Sequence, residues 1–243
     1  MTSFLKFETW NRYLNKNLVV FFIYAVLVAI TFHELLLAQQ TLKWDVIDGY
    51  LPFRYFLGYS LQHGELPLWN TFSGLGSPIL ADPQSASWYL PSWIIGYFRG
   101  YDFTSISVEY MTMLVVAGLG FYNLLKYLKI SPFISCAGGA AFLFSGMFIG
   151  NAQHFTWAIS GAYFPWIIYY FLKAGNEPSV KSSIKGGIFL SLLLTGGYPA
   201  FIIILFYFCL LNGLILLTKN ILRKDWLIFK TRIRNYSILV ISA

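Results

Sequence analysis

The sequence predicts an all-α, polytopic transmembrane bundle, and three observations carry that expectation. Hydrophobic residues make up 57% of the 243 residues and charged residues 11%, where soluble domains carry about a quarter charged. Several apolar runs approach the roughly 20 residues a bilayer core requires. The basic residues lie in short clusters beside those runs, as membrane topology demands, so the net charge of +7 reads as orientation and not as a nucleic-acid footprint. Cys136 and Cys209 fall inside apolar stretches, where a small buried side chain is the ordinary explanation and a disulfide framework is not.

The lead MTSFLKFETWNRYLNKN, with Lys6, Arg12 and Lys16, precedes a first span over 18–37. That run is longer than a signal h-region and ends in His33, Glu34 and leucines instead of the small residues a signal peptidase accepts, so it reads as uncleaved. Residues 38–107 form a large charged loop. Within it SWYLPSWIIGYF, Ser87 to Phe98, is too short to cross and carries Pro91, which predicts an interfacial or re-entrant piece. Further spans are expected over 108–125, 132–150 and 157–172. The block 186–217 exceeds one span and is interrupted by Thr195-Gly196-Gly197-Tyr198-Pro199, which predicts a helical hairpin with a bend there. A basic loop over 218–235 and the opening turns of a further span over 236–243 complete a single transmembrane domain, expected to be the N-terminal part of a longer protein.

A cytoplasmic N-terminus places 14 of the 17 basic residues on the inner side, leaving Lys43, Arg54 and Arg99 outside. The 38–107 loop, the short loop Asn151 to Thr156 and the Gly196-Gly197 bend then share the outer side. They can form one site.

The segment Trp44 to Pro91 holds four of the ten acidic residues, Asp45, Asp48, Glu65 and Asp82, together with Arg54 and His63. A loop so long and polar is more than a connector. Asp45 and Asp48, spaced i, i+3, share a face if a helix continues to Pro52, with Tyr50 and Arg54 close enough to tune them. Such carboxylates serve as a general base for a hydroxyl acceptor, hold a divalent cation, or merely solvate the loop and cap a helix. Arg54 can grip a phosphate with two parallel hydrogen bonds, or pair with Asp45 or Asp48 and only order the loop. Asp82-Pro83-Gln84 is a turn former whose carboxylate and amide can also read a sugar hydroxyl. Gln153 and His154 offer polar groups in the second outer loop, although a His beside Phe155 and Trp157 also suits a membrane interface. The same interfacial explanation covers Trp69, Trp88, Tyr89, Trp93 and Trp157.

WDVIDGYLPFRYF, HGELPLWN, GLGSP and ADPQSASWYLP, followed by GNAQHFTW, AYFPWIIYYF and TGGYPAF, together resemble the YfhO-like bacterial membrane proteins, over about Trp44 to Phe201. That resemblance implies an integral-membrane glycosyltransferase of the GT-C superfamily in the bacterial cytoplasmic membrane. The donor would be a polyprenyl-phosphate-linked sugar and the acceptor an envelope glycan or glycolipid. It implies Asp45 as the first-outer-loop acid that activates the acceptor and Asp48 as its partner or a cation ligand. Arg54, Asp82, Gln84, Gln153, His154 and Tyr198 follow as substrate contacts. One departure stands at the bend, where a Gly-His-Pro-Gln type sequence is expected and Gly197-Tyr198-Pro199-Ala200 is found, which removes an imidazole.

Two other classes compete. A transporter or flippase of lipid-linked sugars would place ionisable groups or paired broken helices near the midplane, whereas the expected spans hold little charge beyond His33 and Glu34 near a helix end. A non-catalytic anchor or assembly protein would tolerate loss of Asp45. No nucleic-acid module, Cys/His cluster or phosphate-binding glycine loop is visible.

Overall fold

A computed structural model describes residue 11 and residues 13–72, 74–177 and 179–243. Lys6 and Arg12 of the basic lead fall outside them. The described residues are helical, with a single isolated antiparallel bridge between Asn70 and Ser77. In chain order the helices are α1 (Asn17–Thr31), α2 (His33–Leu36), α3 (Leu51–Gln62), α4 (Leu90–Phe98), α5 (Phe103–Tyr127), α6 (Pro132–Leu143), α7 (Phe155–Asn176), α8 (Val180–Thr195), α9 (Pro199–Leu222) and α10 (Trp226–Ile241). A wider π turn, Val46–Tyr50, leads into α3.

Local chemistry sets most of these boundaries. The side chains of Asp102, Ser131, Ser179 and Asp225 accept backbone N–H bonds from the first turns of α5, α6, α8 and α10, satisfying donors that a helix start leaves open. Pro132 and Pro199 open α6 and α9, where a missing N–H is harmless. Pro91 acts in the same way. It sits in the first turn of α4 and starts that helix, where the sequence reading took it as an interruption.

Helix α5 is the centre of the molecule and packs on α1, α6 and α7, while α8 packs on α7 and α10. The core gathers Tyr24, Tyr110, Leu114, Leu143, Phe148, Ile159 and Ile167. Trp166 donates its indole N–H to the Val116 carbonyl at 2.9 Å and stacks on Phe189 at 4.8 Å. Among the described residues two helices, α5 and α9, are long and apolar enough to cross a membrane. They differ in setting. Most of α5 is buried, whereas α9 exposes Ile203, Ile204, Phe206, Leu210, Leu211, Leu214 and Ile215.

Interfacial helices are expected within 38–107, and the structure shows how two helices there pair; two further segments depart from the sequence analysis. The stretch 38–107 contains a helical pair, α3 and α4, whose backbones close to contact at Gly58 and Gly96, where an added Cβ would meet the facing chain at about 3.0–3.4 Å. The stretch 132–150 is helical only to Leu143, because Ser145, Gly146 and Gly150 carry the chain through a series of turns. Residues 218–235, expected as a basic loop, are helical up to Leu222 and again from Trp226. Arg232 explains why. Its guanidinium donates to the carbonyls of Gly175 and Leu216 and to Asn220 Oδ1, so it joins the last turn of α7, where carbonyls lack helical partners, and the C-terminal half of α9 to α10.

Helices α5 and α7 run the same way. Their C-terminal ends meet through Asn176 and Tyr127, near Lys126 on the Asn15 carbonyl and Lys173 beside Glu177. Their N-terminal ends meet the Trp44–Pro91 segment, and this second end holds the candidate site.

Candidate functional site

The path into the site begins at Trp44, whose φ of +54° is unusual for a bulky residue and turns the chain sharply. The Val46–Tyr50 π turn follows, in which hydrogen bonds run to the fifth residue instead of the fourth. The chain enters it through an ordinary helical bond, the Asp48 N–H donating to the Trp44 carbonyl at 3.0 Å, and the two acids Asp45 and Asp48 differ in the partners of their side chains. Asp45 reaches His154, with Oδ2 3.0 Å from Nδ1, the two side chains being 54% and 34% exposed. The side chain of Asp48 is exposed and makes no hydrogen bond or ion pair among the described residues.

His154 is held by its own loop, its N–H donating to the Asn151 carbonyl at 2.9 Å, and it immediately precedes α7. The Asp45 carboxylate therefore lies beside the positive end of a 22-residue helix, a favourable place for a negative charge. A second tie lies next to it. Tyr50 Oη and Thr156 Oγ1 are 3.3 Å apart. Burial pushes the Tyr50 hydroxyl above its ordinary pKa; the Thr156 hydrogen bond opposes this, and the nearby Asp45, Tyr198 and Asp82 reinforce it. Tyr50 is thus the group around which three residues singled out in the sequence assemble.

Tyr198 arrives from the break between α8 and α9. Gly197 adopts φ +91°, and a Cβ there would meet the Pro83 carbonyl oxygen at 2.8 Å, Thr156 Cγ2 at 2.8 Å and Ala86 Cβ at 3.0 Å. Only glycine satisfies both the conformation and the close approach. The ring of Tyr198 lies 4.8 Å from that of Trp157, which lies 4.9 Å from His154, so a row of rings runs from the bend to Asp45. Between residues 80–88 and 194–202 opens a cleft of about 310 Å³, lined by Asp82, Trp88, Thr195 and Tyr198 among others. Asp82 accepts the Gln84 backbone N–H at 2.8 Å, which shapes the turn. The side chains of Gln84 and Gln153 make no hydrogen bond among the described residues and do not line the cleft.

Arg54 sits elsewhere. It is 2% exposed and pairs with Glu109, 1% exposed, at 3.5 Å. The same guanidinium donates to the carbonyls of Ser85 and Ala86 and to Ser92 Oγ. Tyr101 donates to the other Glu109 oxygen at 2.7 Å; burial raises the Tyr101 pKa, the Glu109 charge adds to that and Arg54 opposes it. Arg54 is thereby placed inside the protein and not at a surface where a phosphate would arrive. Its partner is neither Asp45 nor Asp48.

No protein-family model, no curated protein and no solved structure matches this chain. The chemistry is therefore read from the geometry alone. Asp45 and His154 can share a proton across a hydrogen bond and present the second carboxylate oxygen to a hydroxyl. Among the described residues no three His, Cys, Asp or Glu side chains cluster as a metal-ligand set. Asp45 is held by His154, which leaves its second carboxylate oxygen as the free acceptor of the pair.

Glu109 is the residue that sequence reasoning missed. It lies within the expected 108–125 span, contrary to the description of the spans as holding little charge beyond His33 and Glu34. An acid inside an apolar run is costly unless paired, and that cost is a signal readable from sequence; Arg54, a cation in the loop before it, is the natural partner. Tyr50 and Thr156 carry no comparable signal, because a hydroxyl in an aromatic stretch is ordinary.

Proposed function

We propose that this protein is a membrane glycosyltransferase that moves a sugar from a polyprenyl-phosphate carrier to an acceptor at the outer face of the bacterial cytoplasmic membrane. The observation that carries the reading is the Asp45–His154 contact at 3.0 Å, which joins two outer loops beside Tyr50, Tyr198 and the Asp82 cleft. Membrane residence draws support from α9, whose long apolar surface is almost wholly unburied and would be unstable in water. The proposed sidedness draws support from the distribution of charge. Lys126, Lys173 and Arg232 sit at one end of α5 and α7, and Asp45, Asp82 and His154 at the other.

In this reaction the carrier phosphate is already a good leaving group, so the protein has to activate the acceptor and hold both partners in line. The Asp45 carboxylate takes the proton of the acceptor hydroxyl as that oxygen attacks the anomeric carbon. The bond from that carbon to the carrier phosphate breaks, and the phosphate leaves with its lipid. His154 holds one carboxylate oxygen, fixing the direction of the other. Asp82 and Tyr198 bound the space in which sugar hydroxyls are read. A transporter reading gains nothing from Glu109, because Arg54 and Tyr101 satisfy its carboxylate.

Asp45→Asn tests the proposal. Membranes carrying this variant should transfer labelled sugar from a polyprenyl-phosphate donor about 10²- to 10⁴-fold more slowly, the usual loss on removing a general base, at unchanged protein yield. Transfer at the wild-type rate would refute the assignment and favour an anchor or assembly protein.

A further inference from the structure

The Asp82 cleft has an apolar neighbour. A second cavity, also about 310 Å³, lies between α7, α8, α9 and α10 and is lined by Leu190, Leu194, Ile202, Leu205, Cys209 and Leu239 among others. Leu194 and Ile202 border both cavities. From Ile202 the second runs two turns along α9 to Cys209, roughly 10 Å at about 1.5 Å per residue. The two spaces differ sharply in chemistry. The inner one has an almost wholly apolar lining, while the mouth presents Asp82, Ser87, Thr195, Tyr198 and the indole of Trp88. Together they exceed the lower size limit of small-molecule sites, about 300 Å³, and have the head-and-tail division of an amphiphile.

Charge decides which amphiphile. No Lys, Arg or His lines either cavity, the one charged side chain at the mouth is the acidic Asp82, and Arg54, the nearby cation, is held inside by Glu109. A phosphate placed there would face a carboxylate with no compensating donor charge. A hydroxylated, uncharged head group would instead donate to Asp82 and exchange hydrogen bonds with Tyr198 and Thr195. We infer that this two-part cavity seats the acceptor as an uncharged glycolipid, its hydrocarbon chain against Leu190, Leu205 and Cys209 and its sugar head between Asp82 and Tyr198. The inference rests on the glycosyltransferase reading and assigns the acceptor, and not the phosphate-bearing donor, to this side of Asp45.

The test uses the intact protein in nanodiscs with two photoactivatable lipids, a glucosyl diacylglycerol and a polyprenyl phosphate. The glucosyl lipid should label peptides within 186–217, and unlabelled polyprenyl phosphate in tenfold excess should leave that labelling intact. Leu194→Trp, an exposed position bordering both spaces, should reduce it by about tenfold, and Asp82→Asn, a surface change that keeps the turn, by about threefold; either variant suffices if the other fails to fold. Displacement of the glucosyl lipid by polyprenyl phosphate would overturn the inference while leaving transferase activity untouched. Labelling unchanged in both variants would overturn it too. Loss of the transferase reading would show separately, as wild-type transfer by Asp45→Asn.

Discussion

Two side-chain contacts, a buried ion pair and an open carboxylate–imidazole hydrogen bond, tie the Trp44–Pro91 segment to the rest of the fold. Arg54–Glu109 is 3.5 Å long and almost wholly out of water, with the guanidinium also holding the carbonyls of Ser85 and Ala86. Asp45–His154 is shorter, 3.0 Å, yet about half of the carboxylate and a third of the imidazole remain exposed. A buried pair gains a strong mutual attraction but is costly to desolvate, so it is justified by the geometry it enforces. An exposed pair contributes little to stability and stays reachable by a substrate. The first pair builds the wall on which Asp82 sits, and the second is left open for chemistry.

Breaking the buried pair should have the largest effect on folding. Arg54→Met leaves Glu109 uncompensated and is expected to lower stability by about 3–5 kcal/mol, read as a fall in thermal midpoint in detergent. Arg54→Met combined with Glu109→Leu should recover much of that loss, because the double change removes both charges. If the double variant is no better than the single, the carbonyl contacts to Ser85 and Ala86 matter more than the charge.

A smaller effect is expected at Asp102, whose carboxylate caps α5 by accepting the Ser105 N–H at 2.6 Å. Partial burial pushes its pKa up, but the Ser105 hydrogen bonds and the Arg99 charge outweigh this and hold it below the usual carboxylate range. A depressed folded pKa means the cap contributes above the unfolded pKa and is lost as pH falls through the folded one. Asp102→Ala should therefore cost about 1 kcal/mol at neutral pH. The gap to wild type should close in acid, which thermal unfolding across a pH series would reveal.

The smallest change in stability is expected at the exposed pair. His154→Gln should shift unfolding by less than about 1 kcal/mol while slowing transfer at least tenfold, a separation that the buried pair cannot show. An equal loss in both measurements would remove the distinction between the two pairs.

The same contrast explains what was legible in the sequence. Asp45, Asp82, His154 and Tyr198 were singled out because polar residues between apolar runs stand out, and the structure joins His154 to Asp45 directly and to Tyr198 through the ring of Trp157. Arg54 was read by sequence proximity as a neighbour of Asp45 and Asp48, although its partner lies on α5; an ion pair across the fold leaves no trace in local spacing. Asp45 and Asp48 were grouped by their spacing, and the contact Asp45 makes with His154, far along the chain, leaves no trace in that spacing either. Helices were easier to read where caps mark them, as at Asp102 and Pro199. They were harder over 226–235, where Lys230, Arg232 and Arg234 suggested a solvated loop although Trp226, Leu227, Ile228 and Phe229 supply an apolar turn.

Gly197 carries a consequence beyond its own turn. The carbonyl of Pro83, the methyl of Ala86 and the methyl of Thr156 all close on the space a side chain would need, so three segments distant in the chain share one vacancy of atomic size. These four positions are not independent letters of the sequence. Any enlargement at one has to be answered by a retreat at another, and variation at this corner of the molecule must travel in compensated sets or not occur at all.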